Sequence, residues 1–503
     1  QKFFMSADLQ DKNNTGFFGH PIGLRTLFFT EMWERMSYYG MRGLLVLYMT
    51  MGVAGNPGMD WSNVQANAIY GIYAGMVYFL AVPGGWIADN ILGYQKAVLI
   101  GAIIITLGHF TLAIPLQQTF ILGLVFVAIG TGLLKPNISS IVGQLYSYND
   151  QRRDSGFTIF YMSINIGSML GFAVCGWLGE KVGWHWGFGA AGVGMLFGVT
   201  QFILFRHHLG ESGKYPNQIK EKTKLNYIRG LGLTVLLIAT IVVTGIMGLW
   251  SIDPVYFAKR FRDFLVILSI IYFFYLFFLA GLTVNEKKNV LMLLLLFVGA
   301  AAFWSGFDQS AGSLIIFTRD HVNLTFGEFT APVSWTQFVN PLFVVMFAPF
   351  FAYLWVFLGK RNLDPNMPIK FGIGLILMAL GFIVMIFAVK FALVSSPVGV
   401  QWLLLTYLLH TFGELTLSPV GLSAFSKYSP KRYLGQMMGI WFLASSLGGV
   451  LAGLLGGEAT ESGLESISPV FNELVYYYLA IAAVLIALSF FIKGALTDTK
   501  AAE

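Results

Sequence analysis

The sequence has few charged residues. Only 11% of its 503 residues are Asp, Glu, Lys or Arg, whereas soluble domains contain about 25%. Because 56% of the residues are hydrophobic, a soluble globular protein is excluded, and most residues must face lipid or a packed membrane interior. The formal net charge of +6 does not indicate nucleic-acid binding, since the basic residues form short clusters between apolar runs, where they set orientation in the membrane.

Cysteine is almost absent, and the patterns of enzymes are absent too. The single Cys175 excludes an intramolecular disulfide, and its apolar surroundings predict a small packing residue. We find no metal-ligand cluster, no nucleophile–His–acid arrangement and no phosphate loop, so we expect no enzyme, no metal and no cofactor. The one adjacent histidine pair, His207 and His208, lies at a helix end in a basic loop. Residues 1–14 are polar and contain no signal-peptide core.

Long apolar runs are what the sequence has in abundance. A spanning helix needs about 20 mostly apolar residues. Fourteen candidate segments have approximate bounds of 24–51, 62–88, 95–114, 118–146, 153–180, 185–206, 227–250, 262–283, 289–317, 331–358, 367–390, 397–426, 431–456 and 468–494. Several exceed the length of one upright helix, so they are expected to tilt or to extend beyond the lipid.

The seventh and eighth segments, 227–250 and 262–283, have almost no intramembrane polar residues. Without them, twelve core helices remain as two sets of six, the layout of a transporter whose halves are made of inverted triplets. We therefore predict an all-α membrane protein with an N-terminal six-helix bundle over 15–206, a linker with an inserted helix pair over 207–288, and a C-terminal six-helix bundle over 289–495.

Basic residues predict the orientation. Lys and Arg cluster in alternate connections, at Arg152, Arg153, the segment 206–224, Lys360, Arg361, Lys427, Lys431, Arg432 and Lys493. The opposite connections, such as 52–61 and 457–473, contain no Lys or Arg. Since positive loops stay inside, both termini are predicted to be cytoplasmic. Lys259, Arg260 and Arg262 are an exception, because they would lie outside.

Ionisable residues concentrate in four of the core helices. Each costs at least about 2.5–3.5 kcal/mol at the membrane centre, so it needs a reason. The first, fourth, seventh and tenth core helices contain them, as Glu31, Glu34, Arg35, Arg42, Lys135, Asp308 and Glu414. These helices begin the four triplets, so in a pseudo-symmetric bundle their charges are expected to converge on one central cavity.

Charged residues of the first core helix share one side. Glu31 and Arg35 are four apart, Glu34 lies three beyond Glu31, and Arg42 lies two turns beyond Arg35. An arginine keeps a neighbouring carboxylate ionised, and a carboxylate that loses this arginine to a substrate can bind a proton. This exchange is a physical basis for coupling. The alternative is a structural ion-pair network that only holds helices together.

Proline lies beside two of the charged positions. Pro136 follows Lys135, and Pro419 lies within two turns of Glu414, both in mid-helix. Proline frees a backbone carbonyl and permits bending, which suits alternating gating in the fourth and tenth core helices. The alternative is a static kink.

The signs of the charges indicate the substrate class. Arg35, Arg42 and Lys135 can bind a carboxylate in the first half, whereas Glu414 can bind an ammonium in the second. A zwitterion with well-separated ends would span such a cavity. Amphipathic and amide side chains could line it, namely Tyr38, Tyr39, Tyr78, Tyr161, Trp304, Trp441, Asn165 and Asn340. For any single aromatic residue, the alternative is lipid contact or core packing.

Six motifs along the chain match one family. They are Glu31-Met-Trp-Glu34-Arg35 before Tyr38-Tyr39, Gly84-Gly85-Trp-Ile-Ala-Asp89-Asn-Ile-Leu-Gly93, Gly132-Leu-Leu-Lys135-Pro136-Asn137, Phe160-Tyr161-Met-Ser-Ile-Asn165-Ile-Gly167-Ser168, Phe303-Trp304-Ser-Gly-Phe-Asp308-Gln309 and Phe412-Gly413-Glu414-Leu-Thr-Leu-Ser418-Pro419. Together they resemble the proton-dependent oligopeptide transporters of the major facilitator superfamily, whose ExxER signature is the first motif. The motifs cover the whole chain, and the inserted helix pair fits the bacterial members.

The resemblance implies a major facilitator fold and proton-coupled symport of di- and tripeptides by alternating access. Glu31, Glu34 and Arg35 would form the proton-coupling cluster, and Asp308 would be a second proton site paired with Arg42. The implied substrate-binding residues are Arg35, Arg42 and Lys135 for the peptide C-terminus, Asn340 and Glu414 for its N-terminus, Tyr38, Tyr78, Tyr161 and Asn165 for its backbone, and Trp304 and Trp441 around the side chains. Ser418 is a further predicted substrate-binding residue.

The implied partners are di- and tripeptides, protons and the lipid bilayer. The resemblance places the chain, as a multi-pass monomer, in the bacterial plasma (inner) membrane. No nucleic acid is expected. Plant relatives carry nitrate, but they often lose the ExxER carboxylates, which are intact here. A channel or receptor would not need titratable pairs tying two halves together.

Three positions depart from the family. Met36 replaces the usual Phe, Asp308 stands where many members have Glu, and Gly71 follows Ile69-Tyr70 where animal members have His. Proton coupling is therefore expected to rest on carboxylates. The remaining intramembrane histidines, His109, His185 and His410, are poor substitutes, although His410 lies one turn from Glu414.

Overall fold

The computed structural model describes residues 16–52, 56–147, 150–217 and 220–500. Fourteen long helices make up most of this part of the chain. They are α1 (Ile22–Thr50), α2 (Asn63–Phe79), α3 (Tyr94–Leu112), α4 (Gln117–Gln144), α5 (Arg153–Trp177), α6 (Trp184–Phe205), α7 (Glu221–Ile246), α8 (Pro254–Phe274), α9 (Val284–Phe307), α10 (Val339–Lys360), α11 (Met367–Val394), α12 (Gln401–Tyr428), α13 (Leu434–Ala459) and α14 (Leu464–Lys500).

Short segments connect or extend these helices. They are the α-helices Ala81–Ile87 and Ser313–His321, the π-helices Ala88–Leu92, Leu178–Val182 and Tyr275–Leu279, and the 3-10 helices Arg206–Leu209, Asp308–Ala311, Val333–Phe338 and Lys431–Tyr433. Strand β1 (Val322–Asn323) pairs in parallel with β4 (Val398–Gly399), and β2 (Thr325–Phe326) pairs antiparallel with β3 (Phe329–Thr330).

Twelve helical segments of the described residues are long and apolar enough to cross a membrane. The two further long helices, α1 and α12, contain the charged residues singled out above, including Glu34 and Glu414. The all-α membrane fold is therefore confirmed, and the fourteen long helices match the fourteen predicted segments.

One predicted helix start is wrong. The helix predicted over 262–283 begins at Pro254, because the Asp253 side chain accepts the backbone N–H of Tyr256 and proline occupies the first turn. The basic run from Lys259 to Arg262 consequently lies inside α8 and not in a connection. The rule that positive loops stay inside counts only residues in connections, so this run is no longer an exception to it.

The described residues form two compact units. Unit 1 contains the residues up to Leu44 and those from Phe79 to Ile252, and unit 2 contains Leu45–Tyr78 and the residues from Asp253 onward. Helix α1 thus passes from one unit to the other after Leu44, and α2 belongs almost wholly to unit 2. The sequence-based division into 15–206, 207–288 and 289–495 stays a prediction.

Inside unit 1, helices α1 and α5 approach closely at small residues. A Cβ atom on Gly40 would lie 2.5 Å from the Sγ atom of Cys175, and one on Gly171 would lie 2.4 Å from the carbonyl oxygen of Met36. Cys175 is fully buried, so its predicted packing role is confirmed. A larger residue at these positions would separate the two helices.

Inside unit 2, α2 and α13 cross with their backbones in contact. A Cβ atom on Gly71 would lie 2.8 Å from the Cα atom of Gly453, and one on Gly449 would lie 3.1 Å from the Cβ atom of Ala74. The Ser446 hydroxyl donates to the carbonyl oxygen of Gly75 at 2.8 Å. Small residues permit this approach, and dispersion between the two backbones then holds the helices together.

We expect Gly453→Leu to destabilise the protein. The new side chain would collide with α2, and overpacking of this kind costs about 1–3 kcal/mol. Thermal unfolding in detergent measures the loss. Gly435→Leu in the same helix is the matched control, because a Cβ atom there meets nothing within 4 Å. An equal loss in both variants would rule out the crossing as the cause.

Candidate functional site

A buried ion cluster lies on one side of α1. The Nε atom of Arg35 is 2.7 Å from Oε1 of Glu31 and 2.8 Å from Oε2 of Glu34. Only the contact with Glu31 has hydrogen-bond geometry. The three residues are at most 3% exposed, so the predicted grouping of Glu31, Glu34 and Arg35 on one helix side is found.

The Nε atom of Arg35 makes the shortest contact with each of the two carboxylates. Both glutamate contacts reach Nε, and neither terminal nitrogen of Arg35 donates a hydrogen bond to any described residue. The guanidinium carbon lies 5.7 Å from the centroid of the Tyr38 ring. The forked end of Arg35, which suits two parallel bonds to a carboxylate, is therefore not committed to Glu31 or Glu34.

Helix α5 fits against this cluster because of one glycine. A Cβ atom on Gly167 would lie 2.3 Å from the carbonyl oxygen of Met32 and 2.8 Å from the Cβ atom of Arg35. Any side chain at position 167 would therefore displace α1 where Arg35 begins. Nearby, buried Asn165 donates to the carbonyl oxygen of Tyr161 at 3.2 Å, whereas Tyr161 is 42% exposed.

Helix α4 brings a second cation to the cluster. Lys135 lies close enough to Glu34 for the two charges to attract each other. Two residues follow Lys135 in the same motif. Pro136 lies inside the helix, and Asn137 donates to the carbonyl oxygens of Leu133 at 2.6 Å and Gly84 at 3.2 Å. The Asn137 amide thus ties α4 to the segment that contains the loop motif.

The other predicted cation of the first core helix is also buried. Arg42 is 7% exposed, and its guanidinium carbon lies 5.8 Å from the centroid of the Tyr39 ring. Tyr39 in turn makes an edge contact with Tyr38. Arg35 and Arg42 therefore each lie over a tyrosine. The pairing of Arg42 with Asp308 stays a prediction.

A second polar group lies in unit 2, between α10 and α12. The Asn340 amide donates to Oε2 of Glu414 at 3.1 Å and to Oγ1 of Thr411 at 3.0 Å. Thr411 is buried, and its hydroxyl donates to the carbonyl oxygen of Tyr407. This chain of bonds fixes the Asn340 amide beside the Glu414 carboxylate. The two residues are therefore neighbours, as they must be if both are to bind the same end of a substrate.

Asp308 lies where the seventh core helix is interrupted. Helix α9 ends at Phe307, a 3-10 turn follows over Asp308–Ala311, and the helix resumes at Ser313. The neighbouring Gln309 is buried; it donates to the carbonyl oxygen of Ala452 at 3.0 Å and accepts from the Ser313 hydroxyl at 2.7 Å. The turn is therefore held from both sides, which positions the buried Asp308 carboxylate.

The predicted aromatic residues differ in their surroundings. Trp441 is 6% exposed and packs on Phe425, with ring centroids 5.4 Å apart, and on Gly421. Trp304 is half-buried and makes edge contacts with Phe303 and Phe307. Trp441 thus shows mainly packing contacts within unit 2, which was the alternative given for any single aromatic residue.

The remaining predicted residues of unit 2 are two partly buried side chains. Ser418 and Tyr78 are each partly exposed, in α12 and at the end of α2. His410, by contrast, is directed toward α11, since a Cβ atom on Gly381 would lie 2.4 Å from its Nε2 atom. Its ring also packs on Phe382.

Sequence reasoning missed Thr411 and Gln309. Both have a signal that could have found them: Thr411 precedes Glu414 by one helical turn, and Gln309 follows Asp308 in the same motif. For Thr411, the pattern to look for is a polar side chain one turn from an intramembrane charge, on the same helix face.

Known proteins identify the group to which this architecture belongs. A sequence model described as "POT family" matches residues 95–464. The chain belongs to the POT family. It is 40% identical, over 96% of its length and 97% of the relative's, to "Peptide transporter YePEPT" of Yersinia enterocolitica subsp. palearctica serotype O:3 (strain YE-P4). It is 38% identical to the "Di-/tripeptide transporter" of Lactococcus lactis subsp. cremoris, covering 87% of this chain and 89% of that one.

A solved structure of the POT family has the same fold. The crystal structure of "peptide transporter POT in complex with sulfate" superposes with a TM-score of 0.89 at 37% identity, covering 95% of this chain and 96% of that one. The predicted family and the major facilitator architecture are therefore confirmed. As a POT member, the chain is a multi-pass membrane transporter and not an enzyme.

Proposed function

We propose that this POT member is a proton-coupled symporter that imports di- and tripeptides by alternating access. Two of its relatives are named as a peptide transporter and a di-/tripeptide transporter, and the chain matches each of them over at least 87% of its length. The proposed location is the bacterial inner membrane, with both termini in the cytoplasm and the transporter acting as a monomer.

Arg35 is the observation that carries the proposal. Its Nε atom contacts both Glu31 and Glu34, while its forked end remains able to bind a substrate carboxylate. Placing such a cluster inside a spanning helix costs several kcal/mol, which favours a role in transport over a purely structural ion-pair network. One side chain can therefore sense a peptide C-terminus and two titratable carboxylates at the same time.

The coupling step follows from charge balance. When the peptide carboxylate binds the guanidinium, the net negative charge around Arg35 rises by one. A proton from the outside that binds to Glu31 or Glu34 restores the balance and allows Arg35 to turn toward the peptide. Lys135 attracts the same glutamate, so it would share the task of holding the peptide C-terminus.

The other end of the peptide would bind in unit 2. The Glu414 carboxylate supplies a negative charge, and the Asn340 amide, fixed by Thr411, supplies its oxygen as a second acceptor at the same place. An ammonium group is the natural partner of this pair. A peptide held at both ends lies across the cavity, with its backbone near Tyr38, Tyr78, Tyr161 and Asn165.

The access cycle would use the second proton site. Protonation of Asp308 would release Arg42, and bending at Pro136 and Pro419 would then let the six-helix halves open inward. The membrane potential adds about 2.3 kcal/mol per charge per 100 mV to inward proton movement. Proton and peptide would be released on the less acidic cytoplasmic side.

Reconstitution into liposomes tests the proposed function. Labelled dialanine should accumulate above its external concentration when the outside is made acidic, and an uncoupler should abolish the accumulation. Unlabelled di- and tripeptides should compete, whereas nitrate and single amino acids should not. Equilibration without accumulation would contradict the coupling, and accumulation of nitrate would contradict the substrate.

We expect Glu414→Gln to weaken binding of peptides that have a free amino terminus. A charge-assisted hydrogen bond contributes about 1.5–3 kcal/mol, so the concentration of dialanine needed for half competition should rise about 10- to 150-fold. N-acetyl-dialanine, which has no ammonium group, is the control ligand, and its weak competition should hardly change. A similar loss for both ligands would show that Glu414 does not contact the amino terminus.

A further inference from the structure

Arg25, His207 and His208 lie around the ring of Phe205, where α6 ends, and the exposed Arg206 adjoins them in the chain. Arg25 belongs to the first turn of α1, and Arg206, His207 and His208 follow α6. The guanidinium carbon of Arg25 lies 5.5 Å from the centroid of the Phe205 ring, and the His208 ring stacks on the same ring at 5.7 Å. The two histidine rings are 4.1 Å apart. We call these four residues the basic cluster.

The positive charge of the basic cluster is not balanced by the protein. Among the described residues, no Asp or Glu forms an ion pair with any of its four members. The nearest acid along the chain, Glu211, pairs with Lys214 at 2.7 Å. The one polar side chain that contacts the cluster is Thr26, whose Oγ1 lies 3.4 Å from Nδ1 of His208. Arg25 and Arg206 are always charged, so an anion from outside would stabilise them.

The surface next to the basic cluster is apolar and faces outward. Ile203 and Leu204, in the last turn of α6, are 47% and 61% exposed, and Phe205 is 37% exposed. In a spanning helix these side chains face lipid. The surface therefore combines an exposed apolar turn with cationic groups at the helix end, where the headgroups of the bilayer begin.

We propose that the basic cluster binds the phosphate of an anionic phospholipid, whose acyl chains lie along Ile203 and Leu204. Basic sites between spanning helices at the membrane surface are the places where anionic headgroups bind. Arg25 and Arg206 supply forked donors, which suit phosphate oxygens, and the imidazoles of His207 and His208 add further donors. The site is separate from the Arg35 cluster, which lies ten residues further along α1.

Binding to the purified transporter in detergent tests the proposal without any peptide or proton gradient. Native mass spectrometry would titrate dihexanoyl phosphatidylglycerol against dihexanoyl phosphatidylcholine, with inorganic phosphate as a third ligand. Each basic residue contributes about fivefold to binding of anionic lipid, as about 1 kcal/mol converts at room temperature. Arg25→Gln/Arg206→Gln should therefore bind phosphatidylglycerol about 25-fold more weakly, with phosphatidylcholine unchanged.

The matched control is Lys220→Gln/Lys222→Gln, which removes the same charge from exposed positions outside the cluster and should change binding less than twofold. If the double arginine variant fails to fold, Arg206→Gln alone, at an exposed position, should still weaken binding about fivefold. Equal binding of the two lipids, or an equal loss in the lysine control, would overturn the site. Displacement by inorganic phosphate at the same concentrations would overturn the lipid as its ligand.

Discussion

Replacing Arg35 by Met is expected to abolish concentrative uptake and to lower the free energy of unfolding by about 3–5 kcal/mol. Both effects have the same cause. The Nε contacts at 2.7 Å to Glu31 and 2.8 Å to Glu34 would be lost, and removing one partner of a buried ion pair leaves uncompensated charge in a region of low dielectric. Thermal unfolding in detergent and dialanine uptake into liposomes measure the two losses separately.

Two further variants separate stability from transport. The triple variant Glu31→Gln/Glu34→Gln/Arg35→Met removes the whole charge cluster, so it should recover most of the stability while uptake remains absent. Arg35→Lys keeps a cation but loses the fork, and it should fold well while uptake falls at least tenfold. Arg229→Met, at an exposed position of α7, is the control and should behave as the unmodified protein. Uptake in the triple variant would show that the cluster is only structural.

Asp308→Asn is expected to uncouple transport from the proton gradient. The amide is close in size to the carboxylate and can still form hydrogen bonds in the turn between α9 and Ser313, but it cannot take up or release a proton. Dialanine accumulation against its gradient should fall to background. Exchange of labelled for unlabelled dialanine across the membrane, which needs no net proton movement, should persist at a similar rate.

The matched control is Glu328→Gln, an acid-to-amide change at an exposed position of the same unit. It should leave both accumulation and exchange unchanged. If Asp308→Asn still accumulates peptide against its gradient, Asp308 is not a proton site. If exchange is lost together with accumulation, the side chain has a structural or binding role that the amide cannot replace.

The helices could be predicted from sequence because apolar run length decides whether a segment spans a membrane. The start of α8 could not, since it depends on Asp253 capping the helix and the basic residues Lys259, Arg260 and Arg262 separate the first apolar turn from the rest of the apolar run. The interruption at Asp308 was also missed, because the apolar residues before it and those after Ser313 together look like one long spanning segment. Turns of this kind depend on tertiary hydrogen bonds, such as those of Gln309.

In the candidate site, too, some features could be predicted from the sequence and others could not. The spacing of Glu31, Glu34 and Arg35 was sufficient to place them together, since residues three and four apart meet on a helix. It could not show that both carboxylates contact Nε, because this depends on side-chain rotamers. The bond between Asn340 and Glu414 joins residues 74 positions apart, and only the packing of α10 on α12 brings them together.

The crossing of α2 and α13 has a consequence for how fast the two helices could separate and come together again. Gly71, Gly75, Gly449 and Gly453 supply no rotatable side chains at the contact, so few rotamers besides those of Ser446 and Val450 would have to be reset if the two helices parted and met again. The entropy lost on each closure is therefore small. A contact of this kind suits the alternating access proposed above, in which the transporter would open and close once for every peptide.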